Sequence, residues 1–252
     1  MRVTLLGTGT SMPDPERVQS GIMIQTESHV FLIDLGSGVL QRLVSSGIDI
    51  TKIQHVFISH FHVDHCSDFP TFCQSMWLAG FNKTLHLYAP PQVDEWSKGV
   101  REIGYPYLLE KLDVEIHHLD EKATVMIGNC KITTTPTTHG SMDTRAFKME
   151  CSGKSIVYSS DTAPSSEIVD LAKDTDLLIH ECNWLDGEYP KKVHTSPSEL
   201  HEVISKATPK RVVVTHVSPQ VVENWETVKS IISHGLDVDA LLGEDLLALE
   251  VL

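Results

Sequence analysis

Five times along this chain a short apolar run gives way almost at once to a side chain that can bind a metal ion. The run 55–58 leads into His60-Phe61-His62-Val63-Asp64-His65. The run 132–135 leads to Thr138-His139-Gly140, 156–159 to Ser160-Asp161-Thr162, 177–179 to His180-Glu181, and 212–214 to Thr215-His216. Short apolar runs bounded by polar turns read as buried strands, and in layered α/β proteins ligands gather where strands end. Any one of these places could be a capped turn. Repeated five times, the pattern requires a fold in which distant strand ends converge.

The remaining patterning agrees. Strand-like runs at 3–6, 22–26, 30–33 and 55–58 open the chain as a β meander, and further runs lie at 85–88, 114–117, 131–135, 146–149 and 156–159. A helix is expected after Gly38, with Leu40, Leu43 and Val44 at helical spacing and Gly47 as its stop. Ser196-Pro197-Ser198-Glu199 reads as an N-cap, a first-turn proline and a capping-box glutamate, followed by the stripe Leu200, Val203, Ile204 and Ala207. One more helix is expected from Ser218-Pro219, with Val222, Trp225, Val228 and Ile232 inward and Gly235 at its end. Met76-Trp77-Leu78 reads as core or pocket wall. No linker, low-complexity tract or fixed-period repeat divides the sequence, so one domain over residues 1–252 is expected: an α/β protein with two packed sheets covered by helices.

Composition limits the partners. With 34 acidic against 20 basic residues the formal charge is −14, which opposes an extended nucleic-acid surface, because neutralising phosphates requires Lys and Arg. No stretch approaches the roughly 18 apolar residues of a membrane span, and no apolar leader follows Met1, so no membrane partner is expected. The five cysteines are odd in number, scattered and without a CxxC pair. They read as thiols in a reducing, cytoplasmic compartment. Cys66 adjoins the histidine motif but has no base paired with it locally, which argues against a nucleophilic role.

Histidine is the excess, at 14 residues against 7 phenylalanines. In an extended segment His60 and His62 point the same way, and a turn after them redirects Asp64 and His65 toward a second point, so one segment could serve two metals. Each ion needs three or four ligands, and the distant strand ends can supply the others. The seven histidines at 29, 55, 86, 117, 118, 201 and 234 show no ligand spacing and are assigned to the surface or to satisfied core positions.

His60-Phe61-His62-Val63-Asp64-His65 with His139, Asp161 and His216 in that order resembles the metallo-β-lactamase fold superfamily over nearly the whole chain. Gly7-Thr8-Gly9-Thr10-Ser11 with Pro13, Arg17 and Ser20, then Asp34-Leu35-Gly36, Ser160-Asp161-Thr162, His180-Glu181 and His194-Thr195-Ser196, is similar to its ribonuclease Z-like branch. The resemblance implies a four-layer αββα sandwich. It implies that His60, His62 and His139 hold one ion, that Asp64, His65 and His216 hold the other, and that Asp161 bridges them. The ions would be Zn²⁺, with Mn²⁺ or Fe as alternatives. An Fe–O₂ reductase is disfavoured, since such relatives usually place a carboxylate where this chain has His62. Two such ions make hydroxide available near neutral pH and clamp the oxygens of a displacement. Against two carboxylates, Asp64 and Asp161, they keep the site locally cationic and attractive to a phosphodiester. Asp64, Glu181 and His194 would form the catalytic set, with Glu181 orienting His194 as proton donor to the leaving oxygen. Relatives are often homodimers.

Several alternatives stay open. His194 and Glu181 could cap a helix and a turn instead. Asp34 could hydrogen-bond a ligand histidine or form a turn before Gly36. The Gly7-Thr8-Gly9 backbone could contact phosphate or merely turn tightly. Ribonucleases of this branch commonly carry a protruding basic arm, in many members between the segments matching His139 and Asp161. Here only 21 residues lie there, read as a short hairpin, and Val217-Ser218 replaces the usual Arg-Tyr after His216. The expectation is a dinuclear zinc phosphodiesterase acting on a small phosphodiester or an RNA 3′ end. A carboxylic ester, thioester or lactone hydrolase on the same centre is the alternative.

Overall fold

The structure, a computed structural model, describes residues 1–251. One seven-stranded sheet contains β1 (Arg2–Gly7), β2 (Gly21–Gln25), β3 (Val30–Ile33), β4 (Ile53–Phe57), β5 (Leu85–Ala89) and β6 (Val114–His118). The other contains β7 (Thr124–Ile127), β8 (Cys130–Pro136), β9 (Arg145–Cys151), β10 (Lys154–Tyr158), β11 (Leu177–Glu181), β12 (Arg211–Thr215) and β13 (Asp239–Leu242), and β14 (Ala248–Glu250) returns to the first sheet beside β1. Each sheet is antiparallel over one half and parallel over the other. β3 through β6 run parallel in the first, β10 through β13 in the second. Parallel strands end on the same side, which is what brings the polar segments after β4, β10, β11 and β12 together.

Alternation along the strands builds three cores. Phe31 and Ile33 of β3, Phe57 of β4, Phe147 of β9 and Val213 of β12 meet between the sheets. Leu32, Val56 and Leu87 face outward under α1 (Val39–Ser45), where Val39 and Leu43 are buried. The short α2 (Val63–Cys66) follows β4. α3 (Phe69–Leu78), through Phe69, Phe72 and Met76, and α4 (Val93–Ser97), through Val93, complete that outer layer. On the other side Val157, Leu178 and Val214 lie beneath α5 (Ser166–Ala172), α6 (Pro197–Ala207), α7 (Pro219–Glu223) and α8 (Trp225–Ile232). Strands covered on both faces read as continuous apolar runs. The result is the expected αββα sandwich.

Local signals act as anticipated at α6, whose Ser196–Glu199 capping box forms in full, and at Gly47, which takes φ 76° after α1. Other details differ. The helix expected from Ser218 divides, because Asn224 leaves helical geometry at φ −105° and ψ 22° while its side-chain amide donates to Gln220 O. Val221, Val228 and Ile232 become the buried face, and Val222 and Trp225 are only half-buried. Val44 of α1 is exposed rather than inward, and Leu78 ends α3 in solvent while Met76 is core. The reading of five free thiols is corrected. β8 and β9 pair with Cys130 directly opposite Cys151, and the two are joined as a disulfide, leaving Cys66, Cys73 and Cys182 free and buried. The expected hairpin links β9 to β10 through Ser152 and Gly153, both at positive φ as a two-residue hairpin turn requires. No described helix is long and apolar enough to cross a membrane.

Candidate metal centre

The site begins where β4 ends. Leu35 N donates to His65 O and Ser20 N to Asp64 O, which ties the histidine motif to the loop after β3 and to the segment just before β2. Gly36 permits that approach, since a Cβ there would lie 2.1 Å from Asp64 O. The motif's second half turns into α2, so its two halves aim at different points.

Two clusters result, meeting at Asp161. In the first, His60 Nε2 and His139 Nε2 lie 3.0 and 3.1 Å from His62 Nδ1, and His139 Nε2 is 3.6 Å from Asp161 Oδ2. In the second, His65 Nε2 lies 3.4 Å from Asp161 Oδ1 and 3.8 Å from Asp64 Oδ2, while His216 Nε2 is 3.4 Å from Asp64 Oδ2 and 3.5 Å from Asp161 Oδ2. His62 is the most open of the set, and the other six are buried.

Hydrogen bonds behind the rings decide which nitrogens face inward. His139 Nδ1 donates to Val193 O at 2.8 Å, and His65 Nδ1 to Asp34 Oδ2 at 2.8 Å. Ser59 Oγ donates to the same carboxylate, so it accepts from His60 Nδ1 at 3.0 Å. The inward Nε2 atoms of His60 and His139, whose rings burial keeps neutral, are therefore lone pairs. At His65 burial is outweighed by the Asp161 and Asp34 carboxylates, which favour the protonated ring, so an ion there would have to displace a proton. His62 has one proton to offer the lone pairs of His60 and His139, and Asp161 Oδ1 is buried without a hydrogen-bond partner. Lone pairs and carboxylate oxygens converging in this way fit divalent cations. The separations also match the roughly 3.3 Å between ligand atoms that tetrahedral bonds of about 2.0–2.1 Å produce. Asp34, left open between two roles by the sequence, thus holds a ring of the site, with Tyr158 Oη donating to it as well.

Burial holds His60 well below the usual histidine range and also lowers His62 and His139, keeping these rings neutral as metal binding requires. Burial alone would raise Asp161, but His216 and then His65 beside it hold its carboxyl well below the usual range.

Glu181 and His194 meet beside the clusters. Glu181 Oε1 accepts from Thr162 N at 2.7 Å and from His194 Nδ1 at 2.8 Å, and Thr195 N donates to Oε2. That bond leaves His194 Nε2 free. Its ring centroid lies 4.9 Å from that of His139 and 5.3 Å from that of His216. Burial, then the Asp161 carboxylate, push Glu181 well above the usual carboxyl range, and burial lowers His194.

The other sequence candidates fall elsewhere. Thr8 N donates to Asp245 Oδ1 and Gly9 N to Val18 O, so the glycine-rich turn spends its amides internally. A Cβ at Gly7 would lie 1.7 Å from Gln19 O, so close packing explains that residue and phosphate contact is not needed. Burial pushes the Cys66 thiol up to about 12, consistent with an inert residue. His180 turns from both clusters, its Nδ1 donating to Glu181 O. Sequence reasoning missed the open cavity of about 770 Å³ outside His194, walled by the stacked rings of Trp184 and Tyr189 with Lys191 and Lys192. Its loop carries no periodic signal.

Helices enclosing two sheets, with His/Asp clusters at the strand ends, define a metal-dependent hydrolase of the metallo-β-lactamase fold, in its ribonuclease Z-like branch. The chain belongs to the family described as anti-Pycsar protein Apyc1, whose sequence model matches residues 1–232. It is 28% identical to a ribonuclease Z of Pyrococcus furiosus, over 87% of each chain. Among solved structures it is similar to the metallo-β-lactamase fold protein YhfI from Bacillus subtilis, at a TM-score of 0.85 and 21% identity over 98% of each chain. It is also similar to the short form of human tRNase Z, at 0.82 and 22% over the whole of both.

Proposed function

We propose that this chain is a dinuclear zinc phosphodiesterase. In this reading His60, His62 and His139 hold one Zn²⁺, Asp64, His65 and His216 hold the second, and Asp161 serves both. The observation that carries it is the pair of clusters sharing one buried carboxylate, with rings aimed inward by the partners behind them. When bound, two such ions acidify a water to a pKa of about 7 and stabilise charge on the attacking and leaving oxygens. The chain's own residues do the rest. Glu181 holds the Nδ1 proton of His194. The ring, once it has taken a second proton from solvent at Nε2, passes that proton to the departing alkoxide and returns to neutral, which typically contributes ~10²–10⁴-fold. Asp64 completes the second cluster, its Oδ2 converging with His216 Nε2 at 3.4 Å.

A small phosphodiester fits this site better than a long RNA. The two-residue turn between β9 and β10 leaves no arm to grip RNA at a distance, and the −14 charge disfavours phosphate tracking away from the metals. The RNA-processing activity in the relatives' names keeps an RNA 3′ end as the competing substrate. The test is turnover of bis(p-nitrophenyl) phosphate, cyclic nucleotides and precursor tRNA beside thioesters and lactones, before and after metal removal. The reading expects diester hydrolysis that disappears on chelation and returns with zinc. Activity that survives exhaustive chelation, or confinement of activity to thioesters and lactones, overturns it.

A further inference from the structure

The first sheet carries another histidine cluster, which shares no residue with the centre above. His86 of β5 stands in register with Glu115 of β6, and His117 lies two residues further along β6, on the same face. His86 Nδ1 is 3.0 Å from His117 Nε2 and 3.4 Å from Glu115 Oε2, and His117 Nε2 is 3.7 Å from Glu115 Oε1. These were among the histidines that sequence spacing assigned to nothing. Strand register brings them together.

We propose that His86, Glu115 and His117 form a separate binding site for one divalent transition ion of borderline softness, such as Zn²⁺. Two imidazoles and one carboxylate are a ligand set this ion takes in three-residue sites that leave a fourth position open. The three separations again bracket the roughly 3.3 Å expected between tetrahedral ligands. The rings are already oriented: His55 stacks on His86 at 5.2 Å and 13°, and Tyr88 on His117 at 4.5 Å and 14°. Glu115 pairs with no lysine or arginine among the described residues, so its charge is available to a cation. The side chains are 28%, 56% and 31% exposed for His86, Glu115 and His117, which gives an ion a path from solvent. Because β6 is an edge strand, an ion here clips it to β5.

The test titrates Zn²⁺ alone, against a chromophoric chelator, into metal-stripped full-length protein, with elemental analysis of the reloaded samples. Wild type is expected to hold one ion more per chain than His86→Ala or His117→Ala. Binding of that ion should weaken by more than the 10–100-fold typical of losing only a supporting partner. Asp161→Ala should keep it. Glu115→Gln, which preserves shape, should weaken it while leaving the circular dichroism unchanged, so the test stands even if an alanine variant fails to fold. Equal stoichiometry and affinity in wild type and all three ligand variants overturns the proposal, and a simple His–His hydrogen bond would then explain the contact.

Discussion

The two histidine clusters differ most in what stands behind their rings. In the buried centre three imidazoles are each anchored through the far nitrogen, by Ser59, Asp34 or the Val193 carbonyl, so their Nε2 atoms are aimed inward before any ion arrives. At the edge of the first sheet the far nitrogens have no such anchor among the described residues; the rings are held by stacking and by their contacts with each other and with Glu115, and water reaches them. Stacking fixes a plane without selecting a tautomer. Hydrogen bonding selects both, so the buried centre should bind more tightly and exchange more slowly.

The strongest way to break this contrast is to remove the carboxylate common to both halves of the buried centre. Asp161→Ala should lose metal there and lower diester turnover by on the order of 10⁴-fold or more. Metal content and kcat/KM measured on the same sample check this, and retention of both would show that Asp161 is dispensable. Next in size is His194→Ala, which should keep its metal yet lose ~10²–10⁴-fold with alkyl leaving groups, and far less with p-nitrophenolate, which needs no proton. Equal losses for both leaving groups would show that the Glu181–His194 pair only supports structure.

A third substitution makes the buried centre resemble the edge one. Asp34→Asn keeps the shape but replaces the acceptor that orients His65 and receives Ser59 and Tyr158. Zinc affinity of the buried centre should fall ~10–100-fold, read by chelator competition. An unchanged affinity would mean that anchoring the far nitrogen is not what separates the two clusters.

How much of this was legible follows from where each signal resides. The motif from His60 to His65 is local, and His139, Asp161 and His216 each follow an apolar strand directly, so sequence alone could collect them. Burial on both faces of the parallel strands likewise made the sandwich readable, as continuous apolar runs. Pairings that depend on register were invisible. Cys130 meets Cys151 only because β8 and β9 align them, and His86 meets Glu115 and His117 only through the β5–β6 pairing. The break at Asn224 was hidden because the apolar spacing continues across it. Asp34 could be read as a candidate partner, but choosing between ligand support and a turn needed the 2.8 Å contact with His65.

The smallest effect tests whether the clusters are independent at all. His86→Ala with His117→Ala removes partly exposed side chains outside the catalytic set, so diester turnover with the buried centre loaded should change by no more than about twofold. The two regions nevertheless share packing. Tyr88, which stacks on His117, also stacks on Phe57 at 4.4 Å, and Phe57 is the last residue of the strand that delivers His60. If the edge cluster holds that aromatic row in place, the double variant should slow turnover about tenfold or more without losing the buried metal. A loss of that size with unchanged metal content would mean that the edge of the first sheet helps position the motif after β4, and the contrast would then be between two linked sites.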